Sequence, residues 1–142
     1  MHYYNYNADC EDFAIFPAAR FISEFGFQSM PSFLAYEEVT NPSDWSVESD
    51  LILYRQRHEN GNTEIRAQMD RHFSLPPAEC SGDATTSQRD VFDAYLYLTQ
   101  LQQSRCYETA INRWRQLRSD PNAQTMGILY WQLNDIWQVG NI

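Results

Sequence analysis

Lysine is missing from this chain: all ten basic residues are arginine, against nineteen acidic ones, and the net charge is −9. No run of positive charge occurs, which excludes the basic footprint of a nucleic-acid-binding protein. The acidic balance also disfavours an anionic membrane surface. No apolar stretch approaches the roughly 20 residues of a membrane span. No Asn-X-Ser/Thr acceptor is present, and His2-Tyr3-Tyr4-Asn5-Tyr6 lacks the basic and apolar regions of a secretory leader. Cysteine is scarce. Three cysteines leave at least one without an intrachain partner, and no Cys/His spacing suggests zinc. Neither a metal nor a cofactor is expected.

Aromatic residues, by contrast, are plentiful at 15% of the chain. Their commoner job is to fill cores, and they also stack on the C–H faces of sugars. With 142 residues and 43% hydrophobic content, the chain is long enough for one real core.

One stretch organises the rest: Arg20-Phe21-Ile22-Ser23-Glu24-Phe25-Gly26-Phe27-Gln28-Ser29. It reads as a buried strand, Arg20 to Phe27, with one acid set into it. Strand side chains alternate, so Phe21, Ser23 and Phe25 are expected on one face and Ile22, Glu24 and Gly26 on the other. A buried carboxylate costs several kcal/mol unless it is paired, hydrogen-bonded or solvated in a pocket. The end of a buried parallel strand is where barrels place catalysis. Composition alone favours a solvent-facing strand-end Glu24 over a buried catalytic one.

Ahead of this strand, residues 2 to 6 read as a short aromatic strand in which His2 and Tyr4 share a face. A polar loop from Asn7 to Pro17 follows, packed down by Phe13, Ile15 and Phe16. Residues 29 to 42 read as irregular, and Asn41-Pro42-Ser43-Asp44 as a helix start. Ser49 to His58 is expected to be helical, ending at Asn60-Gly61-Asn62, and a second short helix runs from residue 63 or 64 to His72. Leu75-Pro76-Pro77 stops it. His58 and His72 read as satisfied or surface residues rather than ligands. After a polar loop comes the longest helix, Gln88 to Arg118. Ser87 and Asp90 resemble a capping box there, and Val91, Ala94, Tyr95, Leu98 and Leu101 form its apolar stripe. A last strand, Met126 to Gln132, puts Gly127, Leu129 and Trp131 on one face.

Arg20 to Ser29 resembles the nucleophile segment of the β-mannosidases of glycoside hydrolase family two. Thr125-Met126-Gly127-Ile128-Leu129-Tyr130-Trp131-Gln132-Leu133-Asn134-Asp135-Ile136-Trp137-Gln138 is similar to their eighth barrel strand. Both motifs stand in the family's order, and the resemblance, nearest to the animal lysosomal type, runs through nearly the whole chain. It implies an α/β fold: a partial TIM (β/α)8 barrel comprising strands six to eight with the intervening helices, residues 1–142 being a fragment of the catalytic barrel domain. It makes Glu24 the nucleophile. His2 and Tyr4 match a His-X-Tyr pattern lining the active site, Trp131 the platform under the sugar, and Asn134 and Asp135 begin the substrate-binding loop after strand eight. It also implies a disulfide between Cys10 and Cys106, leaving Cys80 free; three reduced thiols are the alternative. The chain departs from the family at Met30, where Trp is common, and after Gln138, where it runs Val139-Gly140-Asn141-Ile142.

The activity so implied is retaining hydrolysis of terminal non-reducing β-D-mannose in N-glycan breakdown, in the lysosome, on a β-mannoside oligosaccharide. A retaining glycosidase needs two carboxyl groups roughly 5–5.5 Å apart. The family's acid/base is the Glu of an Asn-Glu pair ending strand four. No Asn-Glu pair occurs in this chain, and strands one to five have no counterpart. The rest of the barrel is therefore expected to be needed for a complete site, and the chain alone to be inactive. Two alternatives stand beside this: a related family member acting on β-galactosides, β-glucuronides or glucosaminides, or a non-catalytic carbohydrate-binding product.

Overall fold

The computed structural model describes residues 1–77 and 87–133; Cys80, Asn134 and Asp135 lie outside the described residues. Three short strands, β1 (His2–Tyr3), β2 (Phe21–Phe25) and β3 (Gly127–Tyr130), pair in parallel in the order β1-β2-β3. Parallel neighbours need crossover connections. The first is a loop with one 3-10 turn, Phe13–Ile15; the second is long and helical. All three strands are shorter than the sequence reading gave them. Tyr4, Asn5 and Tyr6 lie outside β1 because Asn5 turns the chain, its side-chain oxygen accepting from the backbone N–H groups of Asn7 and Ala8.

The described residues divide into two compact units, one made of Met1–Phe27 with residues 103–133, the other of Gln28–Gln102. The first unit holds the sheet and is built around Trp114. This ring is 1% exposed, and it receives Tyr3, Phe16 and Phe25 edge-on at 6.1, 5.3 and 4.8 Å between centroids. Such pairs add about 0.5–1.5 kcal/mol each beyond area burial. The buried indole N–H donates to the Pro17 carbonyl at 3.0 Å. Phe16 seals the loop between β1 and β2, whereas Phe13, expected to pack it down, is 40% exposed. Cys10 and Cys106 are disulfide-bonded, with Cα atoms 5.1 Å apart across 96 positions of sequence. Beside them Arg105 pairs with Glu11 at 2.5 Å.

The strict alternation expected in β2 does not hold. Ile22 and Phe25 both lie in this core, and the register against β3 shifts between them. An odd spacing reaches one core only because the ladder is irregular there.

The second unit has its own core of Met30, Phe33, Tyr36, Ile52, Ile65, Met69, Phe92 and Leu96. Its helices are α1 (Phe33–Glu37), α2 (Asp50–Arg55), α3 (Gly61–Met69) and the first half of α4 (Gln88–Gln116). Helix α1 falls in a stretch read as irregular; five residues are too few to show periodicity. Residues 42–44 form a 3-10 turn rather than an α-helix start. Asn60 and Gly61 begin α3 instead of ending α2. Asn60, with φ 62°, takes the left-handed conformation that Asn tolerates. A Cβ on Gly61 would meet Gln56 Cδ at 2.5 Å. On α4 the expected Val91 and Tyr95 are buried and Leu98 and Leu101 partly so, but Ala94 is exposed, and Phe92, Leu96 and Thr99 widen the buried stripe.

Candidate active site

The parallel register sets His2 opposite Glu24 and Tyr3 opposite Phe25. Tyr3 turns to the Trp114 core, which leaves His2 and Glu24 on the other face of the two strands, with Tyr4 just past the end of β1. These three meet. The Tyr4 hydroxyl donates to Glu24 Oε1 at 2.5 Å, and His2 Nδ1 lies 3.9 Å from Glu24 Oε2. The Glu24 side chain is 26% exposed and that of His2 66%. A carboxylate in this setting is reachable from solvent and is oriented mainly by the phenol. Burial first, and then the hydrogen bond to Glu24, hold the Tyr4 hydroxyl well above the ordinary tyrosine range. It therefore stays a neutral donor at any working pH, which is the form that stabilises an ionised carboxylate.

Gly26 and Trp131 complete the group. Strand β3 ends at Tyr130, so Trp131 stands just past the strand rather than within it. Its peptide bond to Gln132 is cis. The Trp131 N–H donates to the Phe25 carbonyl at 2.7 Å, and its own carbonyl lies against Gly26. A Cβ on Gly26 would sit 2.3 Å from that oxygen and 3.2 Å from Tyr4 Cε1. Gly26 is required here because backbone and ring approach where a side chain would be. The Trp131 carbonyl also accepts the Tyr107 hydroxyl of α4 at 3.1 Å. The Trp131 side chain is 45% exposed.

Sequence reasoning thus named His2, Tyr4 and Glu24, and the structure brings them together. Trp131 joins the group through its backbone, whose carbonyl abuts Gly26. Two contributors were missed. Gly26 is placed by the sequence on the face of Glu24 but given no role, and Tyr107 lies on no stripe; it stands one turn after Gln103, whose amide donates to the Phe27 carbonyl at 2.6 Å. A cavity of about 160 Å³ between Trp114, Arg118 and residues 125–128 sits at the start of β3, the end away from Glu24. It is not part of this group. Among the described residues no set of three or more His, Cys, Asp or Glu side chains could hold a metal ion, and no helix is long and apolar enough to cross a membrane.

No protein-family model matches the chain. Whole-sequence comparison is decisive: the β-mannosidase of Capra hircus is 45% identical over 141 residues, covering 97% of this chain and 15% of its own length. The chain is a homologue of one segment of the β-mannosidases. The β-mannosidase of Mus musculus is 43% identical over the same share, and β-mannosidase A of Emericella nidulans is 34% identical over 149 residues, 96% of this chain. The chain spans about 15% of the length of these curated relatives. Among solved structures, the β-D-mannosidase of Dictyoglomus thermophilum superposes with a TM-score of 0.74 over 99% of this chain and 16% of its own, at 24% identity. That likeness speaks to the fold. In this segment, then, a half-buried carboxylate stands at the end of a parallel strand, held by a neutral phenol.

Proposed function

We propose that residues 1–142 carry the nucleophile half of a retaining β-mannosidase site, with Glu24 as the nucleophile. One observation supports this above the others: Glu24 sits at the C-terminal end of β2 with the Tyr4 hydroxyl 2.5 Å from its oxygen. In this reading β1, β2 and β3 are strands six, seven and eight of a (β/α)8 barrel, with 1–142 belonging to one barrel domain. The substrate is a terminal, non-reducing β-D-mannoside, as in N-glycan breakdown, where the leaving group is a short glycan such as a mannosyl-N-acetylglucosamine disaccharide. The compartment is the lysosome.

The chemistry runs in two displacements. The ionised Glu24 oxygen attacks the anomeric carbon as the bond to the leaving oxygen breaks, and an acid from outside this segment protonates that oxygen. A mannosyl ester of Glu24 results. The same outside group then takes a proton from water, the water oxygen attacks the anomeric carbon, and mannose leaves with its configuration retained. Tyr4 stays protonated throughout, orienting the carboxylate before attack and steadying it as it leaves. His2 flanks the other carboxylate oxygen, Oε2, Trp131 forms the sugar platform, and Asn134 and Asp135 contribute to substrate binding. Without the outside acid/base the 142-residue chain hydrolyses no mannoside at a useful rate; general acid–base catalysis alone contributes about 10²–10⁴-fold.

The test is Glu24→Gln in a complete β-mannosidase carrying residues 1–142 as its matching segment. The amide keeps the shape and cannot form the ester. Turnover of an aryl β-mannoside at the wild-type rate would sink the proposal.

A further inference from the structure

Helix α4 presents two side chains one turn apart to the ends of the sheet. Gln103 Nε2 donates to the Phe27 carbonyl at 2.6 Å, just past β2. Tyr107 Oη donates to the Trp131 carbonyl at 3.1 Å, just past β3. The Tyr107 ring is fixed by edge-on contacts with Phe25, Phe27 and Tyr130, at 5.6, 6.1 and 5.6 Å. The residue before it, Cys106, is locked to Cys10. The hydroxyl therefore hangs from a rigid support and has little rotameric choice. What it holds matters, because the Trp131 carbonyl is the group that abuts Gly26, and Gly26 in turn abuts the Tyr4 ring that grips Glu24.

We infer that Tyr107 is a positioning residue of the mannoside site: by clamping the Trp131 carbonyl, it fixes the backbone that carries the Trp131 ring and sets its place relative to Tyr4 and Glu24. This rests on the function proposed above. The Tyr107 hydroxyl reaches the Trp131 carbonyl and the Phe27 backbone, so its effect on Glu24 runs through the backbone at the ends of β2 and β3. Its removal loosens the segment after β3 while leaving the nucleophile intact, so the loss appears in how the sugar is held for attack.

The experiment compares Tyr107→Phe, Glu24→Gln and Ile111→Val in a complete β-mannosidase carrying residues 1–142. Ile111 lies one turn further along α4 and packs against the same core, so its shortening reports plain loss of packing. With an aryl β-mannoside, Tyr107→Phe should lower kcat/KM about three- to ten-fold, the worth of one neutral hydrogen bond. Ile111→Val should leave kcat/KM unchanged at a similar shift in melting temperature. Hydrogen exchange on the 142-residue chain supplies a readout independent of activity: Tyr107→Phe should speed exchange of the Trp131 amide, with the amides of β1 unaffected. An unchanged kcat/KM, an equal loss in Ile111→Val, or unchanged exchange at Trp131 would each overturn the inference. If Glu24→Gln remains active, the proposed function itself has failed; if Glu24→Gln is dead and Tyr107→Phe is normal, only the role of Tyr107 has.

Discussion

Replacing Gly26 by Ala perturbs the site by a single methyl group. The added Cβ lands 2.3 Å from the Trp131 carbonyl oxygen and 3.2 Å from Tyr4 Cε1. Carbon and oxygen settle at about 3.3–3.6 Å even in a favourable C–H···O contact, so the carbonyl must retreat by about 1 Å. It cannot swing freely. The Trp131 N–H is tied to the Phe25 carbonyl at 2.7 Å and its oxygen to Tyr107 at 3.1 Å. The strain is therefore shared between the Trp131 segment and the Tyr4 ring. A misplacement of about 1 Å in a positioning group can cost on the order of 10²-fold in rate. Over-packing of this kind also destabilises by about 1–3 kcal/mol. In a complete β-mannosidase carrying residues 1–142, Gly26→Ala should lower kcat on an aryl β-mannoside by about 10²-fold while the protein still melts cooperatively. A variant that is destabilised yet turns over at the wild-type rate would refute the link between Gly26 and the site.

Other perturbations test neighbouring parts of the account. Tyr4→Phe removes a charge-assisted hydrogen bond worth about 1.5–3 kcal/mol, so kcat should fall about ten- to a hundred-fold; a loss under two-fold would separate Tyr4 from Glu24. Trp114→Ala empties the centre of the first core and should cost about 3–5 kcal/mol in denaturant unfolding; a cost under 1 kcal/mol would contradict the packing described. Cleaving Cys10–Cys106 opens a loop spanning 96 positions, worth about 4–5 kcal/mol in the chain-entropy model; an unchanged melting midpoint in reductant would contradict that. Burial pushes Tyr95 up to about 12 and raises Tyr4 and Tyr107 as well. Raised folded-state values mean that stability is whole below about pH 10 and is lost as pH climbs from there toward the folded values. Absorbance at 295 nm should show Tyr4 and Tyr95 still protonated at pH 10.5 in the folded protein; ionisation of all nine tyrosines near pH 10 before unfolding would be the contrary result.

The sequence made the placement of the sheet legible. Glu24 is a lone acid in an apolar run, and His2 and Tyr4 share a parity that a parallel partner sets beside it. Legibility stopped where side chains answer to distant backbone. Thr99 sits on the buried stripe of α4 although it is polar, because its hydroxyl donates to the Leu96 carbonyl and accepts the Met30 N–H at 2.9 Å. Gln100 serves the Met30 carbonyl in the same way at 3.0 Å. An apolar periodicity cannot see such residues, so the stripe was drawn through Ala94 instead. Gly61 failed similarly: it marks a close approach of Gln56 and Gln28 rather than a helix stop. Gly26 and Tyr107 escaped for the same reason, since what each does is decided by the Trp131 carbonyl about a hundred or about twenty-five residues away.

The central claim is that Glu24 becomes covalently bonded to the sugar. A 2-deoxy-2-fluoro-β-mannosyl fluoride accumulates the glycosyl-enzyme, because the 2-fluorine destabilises the oxocarbenium-like transition states of both steps while the good fluoride leaving group speeds only the first. Incubated with a complete β-mannosidase carrying residues 1–142 and digested for mass spectrometry, it should label one peptide, with the sugar on Glu24. Turnover of aryl mannoside should disappear in step with the labelling. A label on another carboxylate, or full inactivation with Glu24 unmodified, would contradict the assignment.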